Sequence, residues 1–288
     1  MPPQTVILND RACLGISGPD AEHFLQNLIT TDLDALAPDE WRASALLSPQ
    51  GKILFDFLVT REGAEGFRLD ARADVLDDLT RRLALYRLRA KATIDRLPEQ
   101  LVEISWNIGS PETSDGARRD TRFPAAWGVT RRFLAGPNPP ADPASWHELR
   151  IAGGVAESGH DYALGDAFPH DVLLDQNGGV GFRKGCYVGQ EVVSRMHHRG
   201  TARRRVMIAS AQQALPSGGA EITASGRAMG ALGTVFGPKG LAIVRIDRLA
   251  DALAQGAAVL AGAIPVVLAI PPGASFALPA ADLPAEGA

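Results

Sequence analysis

An α+β fold is what this 288-residue chain predicts, on three observations. Helical stripes and short strand-like runs follow one another in mixed order over the first 200 residues, without the regular strand–helix alternation of a parallel sheet. After residue 200 the character changes to short β-forming runs separated by glycine-rich turns, the spacing of a small barrel or sandwich. Between these, 135–143 (Ala-Gly-Pro-Asn-Pro-Pro-Ala-Asp-Pro) carries four prolines and reads as a loop or linker.

Taken in order, 5–17 reads as two short strands around Asn9-Asp10. Gly18-Pro19-Asp20 opens a helix whose stripe is Phe24, Leu25 and Leu28, ending at Thr30-Thr31-Asp32. Two strands, 41–48 and 52–60, are joined by the turn Ser48-Pro49-Gln50-Gly51. In the second, Ile53, Phe55, Phe57 and Val59 alternate with Leu54, Asp56, Leu58 and Thr60, so both faces are largely apolar and Asp56 is the odd member. Phe67 and Leu69 mark another strand, and 74–88 a helix with Arg81, Arg82, Arg87 and Arg89 on its solvated face. Two more strands fall within 92–108, and a helix over 145–152. The later strands are 204–210, 220–224, 229–236, 240–246 and 264–270, and from Gly273 the Ala/Pro/Gly-rich end reads as disordered.

Bulk properties narrow the function. With 45% hydrophobic and 22% charged residues the chain is of ordinary globular make-up, and a net charge of −4 excludes a wholly basic nucleic-acid binder. Two distant cysteines, Cys13 and Cys186, form no disulfide framework and fit a reducing compartment. Met1-Pro2-Pro3-Gln4 lacks the basic start and apolar core of a signal peptide, and no apolar run approaches the ~20 residues of a membrane span, so a cytoplasmic protein is expected.

The chemistry concentrates in 181–200, Gly-Phe-Arg-Lys-Gly-Cys-Tyr-Val-Gly-Gln-Glu-Val-Val-Ser-Arg-Met-His-His-Arg-Gly. A helix over 190–198 puts Cys186 in the turn before its N-terminus, where unpaired N–H groups, Lys184 and Arg183 all favour a thiolate. The flanking glycines permit a tight turn. A small buried core residue is the alternative for Cys186, and is the expected role of Cys13 in its strand. The chain has no Cys-x-x-Cys, and adjacent His197-His198 point about 100° apart on a helix, so a bound metal or cluster would take one ligand from Cys186 and the rest from elsewhere. From Arg183 to Arg205 there are seven Lys/Arg against one acid, Glu191, giving +6 and leaving −10 for the remainder. Such a patch attracts an anionic ligand or partner.

Lys184-Gly185-Cys186-Tyr187-x-Gly189-Gln190-Glu191, with Arg195 and Arg199-Gly200, resembles the signature of the YgfZ family, which is related to the aminomethyltransferase of the glycine cleavage system. Met196-His197-His198-Arg199-Gly200 resembles its mitochondrial branch, whose members help mature [4Fe–4S] proteins. Gly18-Pro19-Asp20-Ala21, Phe24-Leu25-Gln26 and Ser48-Pro49-Gln50-Gly51-Lys52 resemble the family's N-terminal folate domain. The resemblance implies a three-domain cloverleaf around a central channel, with ferredoxin-like N-terminal parts (1–98), a middle α+β domain ending in the cysteine motif (99–200), a C-terminal β-barrel (201–272) and a tail (273–288). It implies Cys186 and Lys184 as the working residues, and Cys186 as a transient cluster ligand. Asp56, Gln50, Lys52, Gln190, Glu191 and Arg195 are its cofactor-binding residues, with Gln190 and Glu191 capping the turn. The implied cofactors are tetrahydrofolate and a passing iron–sulfur cluster; the implied partners are iron–sulfur client enzymes, among them tRNA-modifying ones, and assembly proteins.

Two departures bear on the reaction. The related transferases carry adjacent aspartates where this chain has Phe55-Asp56, and an acidic residue where it has Ala152 before Gly153-Gly154. Phenylalanine cannot move a proton, and a pterin edge needs a bidentate acceptor. The leading expectation is therefore a non-enzymatic assembly factor. Next comes a folate-dependent aminomethyl- or methyltransferase, then a tRNA-binding module built on 195–205, which the acidic remainder disfavours.

Overall fold

The computed structural model describes residues 4–98, 101–107, 116–134 and 143–281. In chain order it contains β1 (Gln4–Leu8), β2 (Arg11–Ser17), α1 (Ala21–Gln26), β3 (Glu40–Leu47), β4 (Ile53–Glu62), β5 (Gly66–Arg72), α2 (Leu76–Arg87), β6 (Thr93–Arg96), β7 (Leu101–Trp106), β8 (Arg118–Asp120), β9 (Thr130–Leu134) and α3 (Ala144–Gly153). A long irregular stretch, 154–189, leads to α4 (Gln190–Arg199), β10 (Arg204–Ser210), β11 (Glu221–Ala224), β12 (Arg227–Phe236), β13 (Lys239–Arg245), α5 (Ile246–Ala254), β14 (Val259–Ala261), β15 (Ile264–Pro265) and β16 (Val267–Ala269).

The strands form two sheets. The first runs β1-β7-β9-β8-β3-β4-β5-β2-β6. Its halves meet in a short parallel pairing of Glu40 and Trp41 in β3 with Arg119 and Asp120 in β8; the other pairings are antiparallel. The second, β15-β14-β11-β12-β13-β10-β16, is antiparallel and nearly closed into a barrel. The expected mixed α+β fold with a C-terminal barrel is what the chain adopts.

Strands β3 and β4 are buried on both faces, as their double apolar pattern requires. Leu46, Phe57 and Val59 join a core under α1 and α2 with Phe24, Leu25, Leu79 and Leu83. Ala45, Leu47 and Leu58 join a second core with Val172, Leu174 and Tyr187 of the irregular stretch, Val193 of α4, and Val206 and Leu241 of the second sheet. The irregular stretch is thus clamped between the two sheets.

Several elements differ from the sequence reading. Helix α1 ends at Gln26, because Thr30 is drawn into the sheet, its N–H donating to Ala45 O at 3.0 Å. The strand expected at 264–270 is two short pieces, β15 and β16. Strands β8, β9 and β14 and helix α5 were not anticipated. The four-proline segment lies outside the described residues except for Pro143. Of the expected disordered tail, 273–281 instead follows the protein surface: Phe276 packs into two cores and Ser275 Oγ and N donate to Gln176 Oε1. Residues 282–288 lie outside the described residues. No helix among the described residues is long and apolar enough to cross a membrane.

Candidate functional site

The two sequence motifs meet in space. The turn Ser48–Gly51 between β3 and β4 packs against the N-terminus of α4, where Gly189 has φ +80°. A Cβ on Gly189 would lie 2.5 Å from Ser48 O and 2.9 Å from Leu47 Cβ, and one on Gly51 would lie 3.0 Å from Val192 Cβ. Only glycine tolerates both the left-handed backbone and that approach. Gly185, beside Cys186, faces open space instead.

Cys186 is exposed, at the start of this turn. Cys13 is the buried core residue expected, its thiol pushed well above the usual range by burial. Lys184, expected beside the sulfur, turns inward. Its Nζ donates to Ile29 O at 2.9 Å and Thr31 O at 2.6 Å and lies 5.3 Å from the Tyr187 ring centre. Burial lowers its ammonium to about 8, against the opposing pull of Asp32 and Asp34. Lys184 therefore fastens the base of the cysteine loop to the first sheet. No side chain caps α4: its N-cap is Gly189, and Glu191 is exposed, reaching Arg195 at only 3.8 Å. The expected capping by Gln190 and Glu191 does not occur, because a left-handed glycine holds that position. Part of the basic segment is internally balanced. Arg204 meets Asp166 at 3.2 Å and Arg205 meets Asp175 at 2.6 Å, while Arg183, Arg195, Arg199 and Arg203 remain exposed.

A cavity of about 230 Å³ lies between the first sheet, the irregular stretch and Pro271–Ala274. Asp56 faces it, whereas its neighbour Phe55 packs into the core under α1 and α2, as period-two geometry requires. Asp56 accepts from Ser158 Oγ (2.5 Å), Ser158 N (3.3 Å) and Tyr162 Oη (2.9 Å). Burial and Asp56 together push the Tyr162 phenol well above its ordinary value. Of the six residues expected around a cofactor, Asp56 alone lines this cavity. Gln50 is exposed at the β3–β4 turn, and Lys52 lies 3.6 Å over the Phe168 ring and donates to Asp166 O, so it secures the irregular stretch. Ala152 is exposed, while Gly153 and Gly154 line the cavity because Phe123 and Pro271 approach within the space of a Cβ.

What the sequence reading missed is a ladder of buried charges along this cavity. Arg11 Nε pairs with Asp70 (2.9 Å), which also binds Arg131. Arg131 lies 3.6 Å from Asp120, and Asp120 holds Arg122 at 2.7 Å. Arg122 meets Glu157 at 3.3 Å, Glu157 meets Arg150 at 3.2 Å, and Arg150 meets Asp161 at 2.7 Å. Arg150 and Asp161 then bond Thr234 of β12 at 2.7 Å each, so the ladder reaches the second sheet. Its four cations and four anions alternate, which is what makes burial tolerable. Burial alone would raise the Glu157 carboxyl, but Arg150, Arg122, Arg11 and Arg131 outweigh it and hold it far below the carboxylate range. Asp120 is lowered in the same way by Arg122 and Arg131. A carboxyl lowered on folding stabilises the fold above its unfolded pKa of about 4.3, and that contribution drains as pH falls towards the folded value. Glu157→Gln is expected to cost about 2–3 kcal/mol at pH 7, with the gap to the parent narrowing below pH ~4. Urea melts at pH 7, 4 and 3 check this, and a pH-independent gap would contradict it.

Residues 203–276 match the family described as CAF17, C-terminal beta-barrel domain. The human mitochondrial iron–sulfur cluster assembly factor IBA57 is 33% identical, over 90% of this chain and 83% of its own length. The chain belongs to the IBA57 family. The mouse member is 30% identical over 84% of this chain and 77% of its own length, and the Neurospora crassa homologue 30% over 69% and 52%. All three relatives are named as mitochondrial. The fold of this IBA57-family chain is also that of the glycine cleavage system aminomethyltransferase T from Bartonella henselae. The TM-score is 0.72 at 17% identity, over 93% of this chain and 84% of the other. The YgfZ-type relationship expected from the cysteine motif therefore stands. The IBA57-family chain carries the transferase fold with Phe55 and Ala152 at the two departing positions, and the carboxylates that line its cavity are the half-buried Asp56 and the buried Glu157.

Proposed function

We propose that this protein assists assembly or repair of [4Fe–4S] proteins, with the Cys186 thiolate binding iron of a cluster in transit. The observation that carries this is the exposed sulfur on a loop held from beneath by Lys184 and from the side by the Gly189–Ser48 contact. An exposed thiol on a fixed loop can offer its lone pair to a cluster on a partner, its proton leaving to solvent, and can give the cluster up again because one ligand does not close a site. The role of its human and mouse relatives in iron–sulfur cluster assembly supports the reading. Client enzymes and assembly proteins are the partners, meeting the exposed Arg183, Arg195 and Arg199 around the loop. Two unpaired cysteines suit a reducing compartment, and we take the cytoplasm as the site of action.

The central cavity supports tetrahydrofolate as the bound cofactor. By size and by its mix of carboxylate, guanidinium and amide groups it suits the ring of a folate. Asp56 accepts three hydrogen bonds of the roughly four lone-pair sites of a carboxylate, which leaves room for one ring N–H. With Phe55 turned into the core in place of a second carboxylate, no neighbouring acid is there to move a proton, which favours holding folate over transferring a one-carbon unit.

The test is complementation of cells lacking the protein. Cys186→Ala is expected to fold with unchanged stability, as surface changes do within ~0.5 kcal/mol, yet to leave [4Fe–4S] enzymes at the level of the deletion. Full activity with Cys186→Ala would sink the proposal. Titration of the purified protein with tetrahydrofolate, followed by tryptophan fluorescence, is expected to saturate and to weaken with Asp56→Asn.

A further inference from the structure

A second, larger cavity of about 470 Å³ lies away from the cysteine loop, between the C-terminal end of α4, the starts of β10 and α5, and Phe276–Pro279. Among the described residues, Gln176 alone lines both it and the central cavity. Its wall holds His170, 1% exposed, with neither ring nitrogen hydrogen-bonded to a described residue. An imidazole kept that way is costly unless something in the cavity meets it. Burial lowers it to about 4, against Asp175, so it is neutral at ordinary pH and offers one donor and one acceptor.

The unused hydrogen-bonding capacity around it is mostly that of donors. Arg205, also buried, donates through one terminal nitrogen to His170 O (2.8 Å) and Asp175 (2.6 Å), while its Nε has no partner. Arg203, exposed at the rim, makes no ion pair with another described residue. The two acids of the wall are already matched: Asp175 by Arg205, and Asp247 by Arg245 at 2.8 Å outside the cavity. With the acids balanced, Arg203 leaves the cavity with an uncompensated positive charge, and His170 and Arg205, which line it, carry nitrogens without a hydrogen-bond partner among the described residues. A charged oxygen-bearing ligand satisfies both conditions, because guanidinium and imidazole N–H groups bond oxyanions strongly.

We propose that this cavity is a binding site for a small oxyanion, a phosphate or carboxylate compound, separate from the cysteine loop and the central cavity. The experiment uses the full chain, with inorganic phosphate and citrate as probes. Each is titrated at constant ionic strength against chloride, read by thermal shift and, for phosphate, by phosphorus NMR line broadening. Saturable stabilisation by at least one probe is expected. Arg203→Ala, which alters only the rim, is expected to weaken it about tenfold, as is His170→Phe if that variant folds. Arg199→Ala, outside the cavity, is expected to leave it unchanged. A linear, non-saturating response to both probes would overturn the proposal, leaving water as the partner of His170. Equal weakening by Arg199→Ala and Arg203→Ala would also overturn it, by showing general attraction to a basic surface.

Discussion

Asp70→Ala is expected to destabilise the protein by about 3–5 kcal/mol, the cost of removing one partner from a buried charge pair. Asp70 is fully buried between Arg11 and Arg131, and its own backbone oxygen takes a further bond from Arg11 at 2.9 Å. Arg131 is fully buried too, and burial already outweighs Asp70 and Asp120 in lowering its guanidinium. Without Asp70 its one acid contact among the described residues would be the looser one to Asp120 at 3.6 Å. For a chain of this size the loss corresponds to a fall in Tm on the order of 10 °C. Thermal and urea unfolding of Asp70→Ala and Asp70→Asn measure it, and a loss under 1 kcal/mol would show that the ladder does not support the fold. Because the ladder reaches Thr234 in β12, the effect should appear as one cooperative shift and not as early melting of the first sheet alone.

Gly189→Ala carries the second large expectation, this time on activity. A side chain there meets Ser48 O at 2.5 Å and occupies a left-handed backbone, a strain of about 1–3 kcal/mol. Relief requires the cysteine loop to move away from the β3–β4 turn. Restoration of [4Fe–4S] enzymes in deleted cells should therefore fall nearly as far as with Cys186→Ala, although the sulfur is still present. Gly185→Ala, one residue from the cysteine but facing open space, should restore activity almost fully. If the two alanines behaved alike, the placement of the loop would not matter to function.

Much of this site was legible because glycines punctuate it. The turn 48–51, the cysteine loop and α4, expected over 190–198 and found at Gln190–Arg199, announce themselves by Gly51, Gly185 and Gly189. Strands β8 and β9 did not, since Arg118-Arg119-Asp120 and Thr130-Arg131-Arg132 carry charges where a buried strand usually carries apolar residues. Asp120 and Arg131 among them are buried because Arg131 faces both Asp120 and the distant Asp70, which no local pattern reveals. Helix α5 was readable from the stripe Ile246, Leu249, Ala250 but was overshadowed by the run of strands before it. The direction of Lys184 was invisible for a different reason: sequence places it beside Cys186, and only the sheet beneath decides that its ammonium points inward.

The bonds from Lys184 span 155 residues to Ile29 and 153 to Thr31. Contacts of such reach close late in folding, after the chain between them has ordered. The first sheet ends at Leu134, so during synthesis it can form before Lys184 is free to reach it. The loop that carries Cys186 is thus fastened to a sheet that is already in place.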